Sequence, residues 1–177
     1  MAIPTLRMDS NLSLITNSSA WASEEHKMFA NSTRKLFDAE MAPNIEKWAE
    51  QGIVDRDFWK TVGQQGVMGG SISEEYGGFG GGIGFDAITV YEQGRTGDTG
   101  WGYGIQSIVI HYIYAYGSEE QKKKWLPKLV SGDSVAAIAM TEPGTGSDLQ
   151  NVQTHAEKDG NHYKINGSKI FITNGHT

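Results

Sequence analysis

Hydrophobic residues recur at helical spacing from residue 21 to about residue 132. The first stretch predicts a helix from Trp21 to about Met41, which ends before Pro43 because the residue preceding a proline is disfavoured in the helical conformation. The most regular stretch, Tyr103 to Tyr116, has apolar residues at positions i, i+3, i+4, i+7, i+8 and i+11. Two further apolar residues lie on its far side, so we expect this helix to be buried on most sides.

Residues typical of helix ends mark the bounds of the next two predicted helices. A short helix is predicted from Asn44 through Glu50, with a stop at Gly52, because glycine adopts the left-handed conformation that ends many helices. Asp55 is the predicted N-cap of the next helix. That helix carries Phe58 and Trp59, which we expect to lie in the core.

A glycine-rich segment, residues 66–84, separates these helices from the next. It contains EEYGGFGGGIG, which lacks the lysine and hydroxyl residues that a phosphate-binding loop would need. We therefore interpret it as a long turn with Tyr76 and Phe79 packed beneath it. A further helix is predicted over residues 85–95.

The last helix is predicted to begin at a capping box formed by Ser118 and Gln121. Pro127 predicts a break in it, before a final turn that ends at Gly132. The preceding helix carries His111, which could serve as a catalytic base. Because no carboxylate partner for it is visible in the sequence, we interpret His111 as a hydrogen-bonded structural residue.

From Ser134 onward the hydrophobic pattern changes to the two-residue period of β-strands. Residues 135–140 predict a buried strand, and residues 153–165 predict a hairpin around an Asp-Gly turn. An Asn-Gly turn then leads into an alternating strand, Lys169 to Thr173. In that strand Phe171 and Thr173 are predicted to face the same side.

The predicted fold class is therefore α+β. We expect a flexible N-terminus over residues 1–20, an all-α helical domain over residues 21–133, and the first strands of a β domain over residues 134–177. The first twenty residues hold one arginine and many small polar residues, which is typical of a frayed terminus and compatible with a transit peptide.

Composition excludes several classes of function. The formal charge is −6, from 15 basic and 21 acidic side chains, and no basic block exceeds residues 122–124. We therefore expect no nucleic-acid partner. There is no cysteine, so neither a disulfide nor a thiolate nucleophile is available, and no metal site is predicted. No apolar run has the length needed to span a membrane.

Candidate chemistry is concentrated in AMTEPGTGSD, residues 139–148, and NGSKIFITNG, residues 166–175. Gly144 and Gly146 permit positive φ and close approach of backbone N–H groups to a ligand, as a phosphate requires. Hydroxyl groups in the first stretch and an aromatic side chain in the second would suit a planar ligand with polar edges and a phosphate tail.

These two motifs, in this order and spacing, resemble the flavin-binding signature of the acyl-CoA dehydrogenase family. The segments RKLFDAEMAPNIEKW, EEYGGFGG and YGSEEQKKKWLPKLVSGD resemble that family too, so the resemblance covers almost the whole chain. It implies that the β domain is the start of a β-barrel-like middle domain that is truncated here. It also implies an enzyme that uses FAD to remove a proton from Cα and a hydride from Cβ of an acyl-CoA.

The resemblance assigns roles to particular residues. Met140 and Thr141 would contact the pyrimidine side of the flavin. Gly146 would face the phosphates, and Ser147 would face both the phosphates and the coenzyme A substrate.

Two roles fall on the second motif. Phe171 would lie against the isoalloxazine ring, and Thr173 would donate a hydrogen bond near the flavin N5. The resemblance further implies electron-transfer flavoprotein as the oxidant and a homotetrameric parent. It places that parent in the bacterial cytoplasm or, in a eukaryote, in the mitochondrial matrix.

No catalytic base is predicted within this chain. In the family the base is a glutamate of the C-terminal helical domain, and Glu142 occupies a turn-stabilising position instead. Complete members are roughly twice as long, so we expect an N-terminal portion that is inactive alone. The sequence AIAMTEPGTGSDLQ favours the long-chain branch of the family. Two alternatives stay open: an acyl-CoA oxidase or related flavin monooxygenase of the same fold, and a non-catalytic truncated helical module.

Overall fold

The computed structural model describes Thr16 and residues 19–177. The predicted flexible N-terminus, residues 1–20, therefore lies almost entirely outside the described residues. Helix α1 spans Glu24–Leu36. It begins after Trp21 because Ser23 forms a capping box with His26, in which the His26 Nδ1 accepts the Ser23 backbone N–H at 3.2 Å.

The first helix ends before Pro43, as predicted, but the chain stays helical in two further turns. A π-helical turn, Phe37–Met41, and a 3₁₀ turn, Ala42–Asn44, continue the helical path beyond α1. Pro43 is tolerated there because it lies in the first residues of the 3₁₀ turn, where its missing N–H has no helical partner to lose.

Helix α2 spans Ile45–Gln51 and ends at Gly52, whose φ of 72° confirms the predicted left-handed stop. Helix α3 spans Arg56–Gln64. Asp55 occupies its N-cap position, as predicted, although its side chain makes no capping hydrogen bond. The Asp55 carboxylate instead accepts a hydrogen bond of 2.5 Å from the Lys47 ammonium, and this contact helps to lower the pKa of Asp55 to about 2.

Helix α4 spans Gly84–Thr96, helix α5 spans Tyr103–Tyr116 and helix α6 spans Glu119–Val130. The predicted bounds of α5 and the capping box at the start of α6 are confirmed. The predicted break at Pro127 is wrong, because α6 continues through it. The Pro127 carbonyl still accepts the N–H of Ser131 at 3.0 Å, so the proline removes one helical donor without ending the helix.

The predicted burial of α5 is also wrong. Tyr103, Gln106 and Ile110 are buried, but Tyr112 is 62% exposed and Tyr116 is 83% exposed. Among the described residues α5 packs against α6 and α4, which cover only one side of it. One apolar side of α5 therefore stays accessible.

The helices enclose two hydrophobic clusters. The first is mainly aromatic, and it includes the predicted core residues Phe58 and Trp59, which are confirmed as buried. The second lies under the glycine-rich segment, where Tyr76 is buried as predicted while Phe79 stays 43% exposed. Its buried members are Ile72, Tyr76, Ile110, Leu126, Leu129 and Val130.

The predicted hairpin is confirmed. Strand β1, His155–Asp159, pairs antiparallel with strand β2, His162–Asn166, so that Asp159 lies opposite His162 across the turn. The strands predicted over residues 135–140 and 169–173 are wrong, since neither segment joins a ladder within residues 19–177. A strand needs a neighbour with which it forms a series of backbone hydrogen bonds, and the described part of the chain provides only isolated contacts there.

The architecture is α+β, as predicted: a helical body followed by a small antiparallel sheet. None of the helices that the structure describes is long and apolar enough to cross a membrane.

Candidate functional site

The two motif segments lie side by side. The backbone N–H of Ile170 donates to the Thr141 carbonyl at 3.0 Å, and the Lys169 ammonium donates to the Met140 carbonyl at 2.9 Å. The structure therefore brings Met140 and Thr141, from the first segment, against the second. This contact joins residues that are far apart in the sequence.

Glu142 fixes the turn that follows. Its carboxylate is buried and accepts the backbone N–H groups of Gln153 and Thr154 at 2.7 and 2.9 Å, and its Oε1 lies 2.9 Å from the Lys169 ammonium. Contacts from Thr154, then from Lys169 and Gln153, lower the pKa of Glu142 to about 2. A carboxylate held ionised in this way stabilises the turn and is a poor proton acceptor.

The predicted phosphate loop is exposed. Neither Gly144 nor Gly146 adopts the positive φ that glycine permits. A Cβ built on either glycine would meet no atom within 4 Å, which shows that the loop borders open space. Ser147 is exposed beside it.

The predicted aromatic face is exposed as well. Phe171 is 88% exposed and has a φ of 55°, a left-handed conformation that a strand does not contain. Thr173 is exposed, whereas Ile170 and Ile172 are half-buried. Exposed and half-buried side chains therefore alternate along residues 170–173 as the sequence pattern predicted, although the segment is not a strand.

An apolar groove of about 460 Å³ lies between α5 and the segment that leads into the first motif. Its lining contains no charged side chain and consists of Ile105, Ile108, Val109, Tyr112, Ile138 and Met140. Met140 is shared between this groove and the junction of the two motifs. The groove can thus hold an apolar chain whose end reaches the exposed motif residues.

His111 has a carboxylate partner that sequence reasoning missed. Its Nε2 lies 3.2 Å from the Ser71 hydroxyl and 3.5 Å from Asp86 Oδ2. Both groups approach the same ring nitrogen, so this is not a nucleophile triad, in which the serine and the carboxylate bind opposite nitrogens. The cluster supports the structural interpretation of His111.

Asp86 and Tyr103 of this cluster are buried, and Ser107 is half-buried. Asp86 Oδ1 accepts hydrogen bonds from the Tyr103 phenol at 2.7 Å and the Ser107 hydroxyl at 3.0 Å. Burial, and after it the negative charge of Asp86, raises the pKa of Tyr103 well above its usual value. Tyr103, Ser107 and His111 occupy positions i, i+4 and i+8 of α5, a spacing that could have indicated a shared polar face.

Glu92 is not available as a base. Its fully buried carboxylate accepts two hydrogen bonds from Arg34, at 3.0 and 3.1 Å, and one from Arg95 at 2.9 Å. Two guanidinium groups occupy its oxygens and hold the carboxylate in a fixed position. Within residues 19–177 no three acidic or histidine side chains are grouped so as to hold a metal ion.

Comparison with protein families identifies both parts of the chain. The family model described as the acyl-CoA dehydrogenase N-terminal domain matches residues 23–133, and that of the acyl-CoA dehydrogenase middle domain matches residues 137–177. The chain belongs to the acyl-CoA dehydrogenase family. The similarity predicted from the motifs is therefore confirmed over both the helical and the β part.

Relatives in this family are longer than the chain. The pig mitochondrial long-chain specific acyl-CoA dehydrogenase is 48% identical over 154 residues, which are 86% of this chain and 36% of that protein. The crystal structure of an acyl-CoA dehydrogenase from Geobacillus kaustophilus has a TM-score of 0.86 at 43% identity, covering 89% of this chain and 42% of that one. The long-chain resemblance predicted from the sequence agrees with the first comparison.

A third relative carries a flavin. The structure of a glutaryl-CoA dehydrogenase from Mycobacterium smegmatis in complex with FADH2 has a TM-score of 0.78 at 32% identity, and covers 86% of this chain and 40% of that one. This chain thus spans well under half the length of the family members that it matches.

Proposed function

We propose that the full-length protein is an FAD-dependent acyl-CoA dehydrogenase, and that residues 21–133 and 134–177 supply its N-terminal helical domain and the start of its middle domain. The observation that carries this proposal is the apolar groove, which ends at Met140, where the two motif segments meet. An acyl chain in the groove would direct its thioester end toward the exposed motif residues.

The motif residues fit a flavin. Phe171 offers an exposed aromatic face, and the Thr141 hydroxyl and the backbone around Gly146 and Ser147 offer polar contacts beside open space. A flat heterocycle with a phosphate tail needs such a combination. We propose that Met140 and Thr141 contact the pyrimidine edge, that Gly146 and Ser147 bind the phosphates, and that Phe171 and Thr173 contact the isoalloxazine.

In the proposed reaction a carboxylate takes a proton from Cα of the acyl thioester. When bound, FAD would supply the acceptor for the hydride that leaves Cβ, so that a Cα=Cβ double bond forms. The groove residues of α5 orient the chain and exclude water from it. Glu92 and Glu142 are buried and paired in ion contacts, so we propose that the base lies in a part of the protein outside this chain.

We extend the proposal to the electron acceptor, the oligomeric state and the cellular location. The oxidant would be electron-transfer flavoprotein, the assembly a homotetramer, and the location the bacterial cytoplasm or the mitochondrial matrix. The apolar lining of the groove favours an unsubstituted acyl chain as substrate, because a charged chain end would find no partner there.

The test is anaerobic flavin bleaching in the full-length protein with acyl-CoAs of increasing chain length. Ile108, 44% exposed in the groove, is changed to glutamine, and Val90, 51% exposed on α4 outside the groove, is changed to glutamine as the control. We expect Ile108→Gln to raise KM for the longer substrates about tenfold, since a polar amide replaces apolar contact. Absence of bleaching, or equal effects of both variants, would refute the proposal. Rapid reoxidation by oxygen would instead identify an oxidase.

A further inference from the structure

The segment 135–140 forms one wall of the groove without belonging to a sheet. Two side chains hold it near its beginning, at Ala136, and the Lys169 ammonium holds its end at the Met140 carbonyl. The Ala136 backbone N–H donates to Gln106 Oε1 at 2.7 Å, and its carbonyl accepts a hydrogen bond from Asn174 Nδ2 at 3.0 Å. We call the pair Gln106 and Asn174 the Ala136 clamp.

Gln106 connects the clamp to the helical core. It is fully buried in α5, and its Nε2 donates to the carbonyls of Leu129 at 2.9 Å and Ser134 at 3.0 Å. All its hydrogen-bonding groups face backbone atoms of α6 or of the segment that follows it. A buried amide satisfied in this way has one orientation, because any rotation would leave buried polar atoms unpaired.

Asn174 connects the clamp to the second motif. Its Nδ2 also donates to the Gly102 carbonyl at 3.1 Å, just before α5. Its own φ is 63°, a left-handed conformation that asparagine tolerates better than most residues. A Cβ built on Gly102 would lie 2.1 Å from Asn174 Oδ1, so the side chain reaches this place only because residue 102 is glycine.

We propose that Gln106 and Asn174 are positioning residues that fix the distance between α5 and the segment 135–140. Ile138 and Met140 lie two and four residues after Ala136 and face Ile105, Ile108 and Val109 across the groove. The clamp therefore sets the width of the groove and the position of the predicted flavin contacts. The link to acyl-CoA and flavin rests on the proposed function, whereas the clamp itself rests on the contacts alone.

Two variants break the Asn174 contact of the clamp and leave Gln106 in place. Asn174→Gly removes the amide while keeping a residue that favours the left-handed φ. Gly102→Ala leaves both amides in the chain but displaces the end of the Asn174 side chain, and its backbone φ of −76° suits alanine. The matched controls are Asn161→Gly in the exposed hairpin turn and Gly94→Ala, where a Cβ meets no atom within 4 Å.

The measurement is amide hydrogen exchange of the full-length protein, with and without FAD, together with its thermal midpoint. We expect both clamp variants to exchange about tenfold faster over residues 134–140, as for the loss of about one net hydrogen bond. Exchange in α1–α4 should match that of the controls, and the thermal midpoint should stay close to that of the unmodified protein. Unchanged exchange at 134–140 would overturn the proposal. So would a uniform acceleration throughout the protein, which would indicate a merely structural role.

Kinetics give the second measurement. We expect the clamp variants to raise KM for long acyl-CoAs several-fold more than for short ones, with kcat changed less, because the wall of the groove is displaced and the reacting groups stay in place. Faster exchange with unchanged chain-length selectivity would overturn the positioning role. If the unmodified protein turns over no acyl-CoA, the proposed function is refuted. The hydrogen-exchange measurement over residues 134–140 then upholds or overturns the clamp by itself.

Discussion

Replacing Arg34 by methionine should destabilise the protein far more than an ordinary surface charge change. The Arg34 guanidinium is 13% exposed and makes two hydrogen bonds to Glu92, which is 0% exposed. Methionine retains most of the apolar stem, so the loss is mainly that of the charge pair. The variant leaves a buried carboxylate with Arg95 as its remaining ion-pair partner.

The magnitude follows from this burial. Removing one partner of a buried ion pair typically costs about 3 to 5 kcal/mol. Because Arg95 still donates to Glu92 at 2.9 Å, we expect the lower end, about 3 kcal/mol. Lys27→Met is the control on the same helix, since Lys27 pairs at 2.7 Å with Glu24, which is 84% exposed. That exposed pair should contribute no more than about 1 kcal/mol.

Urea unfolding monitored by tryptophan fluorescence measures both variants. With a slope of about 2 kcal/mol/M, the midpoint of Arg34→Met should fall by about 1.5 M. The double variant Arg34→Met/Glu92→Met should recover part of the loss, because it removes the buried charge that the single variant leaves. The reasoning is refuted if Arg34→Met behaves like Lys27→Met, or if the double variant is no more stable than Arg34→Met.

Three further predictions concern the turn, one helix contact and the loop. The pKa of Glu142, about 2 in the folded chain against an ordinary 4.5, means that its contribution to stability is complete above pH 4.5 and is lost as the pH falls through 2. The thermal midpoints of the unmodified chain and Glu142→Gln should therefore differ near neutral pH and converge in acid. The control Glu157→Gln, at an exposed position, should change the midpoint little at either pH. A difference between the unmodified chain and Glu142→Gln that does not change with pH would contradict this. Gly63→Ala should destabilise the folded protein because the added Cβ would lie 2.1 Å from a backbone carbonyl oxygen. Gly94→Ala should stabilise it by about 0.5 kcal/mol, as measured by chemical denaturation. If Gly63→Ala were the more stable of the two variants, the described packing would be contradicted. In the full-length protein, Ser147→Ala should weaken FAD or acyl-CoA binding by about 1.5 to 3 kcal/mol in titration calorimetry, and unchanged affinities for both would remove Ser147 from the site.

Local sequence signals predicted the elements whose hydrogen bonds are local. The pattern over 103–116 predicted α5 with its observed ends, and Ser118 with Gln121 predicted the start of α6. The Asp-Gly turn predicted the hairpin, whose two strands are each other's neighbours in the chain. In each case the donors and acceptors lie within a few residues, so the sequence alone contains the partners.

Contacts between distant segments were not predictable in the same way. Asp86 and His111 lie on different helices, and only the packing of α4 against α5 brings them together. The Ala136 clamp likewise joins Gln106 and Asn174, which no local pattern relates. The motifs identified the candidate flavin residues through a family resemblance, while the contacts that hold those residues came from the structure.

Within residues 19–177 the sequence by itself determined the number and order of the α-helices, the hairpin and the position of the two motifs. Tertiary structure decided which side of α5 is covered, because apolar residues on more than one side of the helix leave no single apolar stripe that selects the buried face. It also decided that residues 135–140 and 169–173 are held by side chains and single backbone contacts. A two-residue period indicates an extended segment, but a strand forms only where a second segment provides its hydrogen-bond partners.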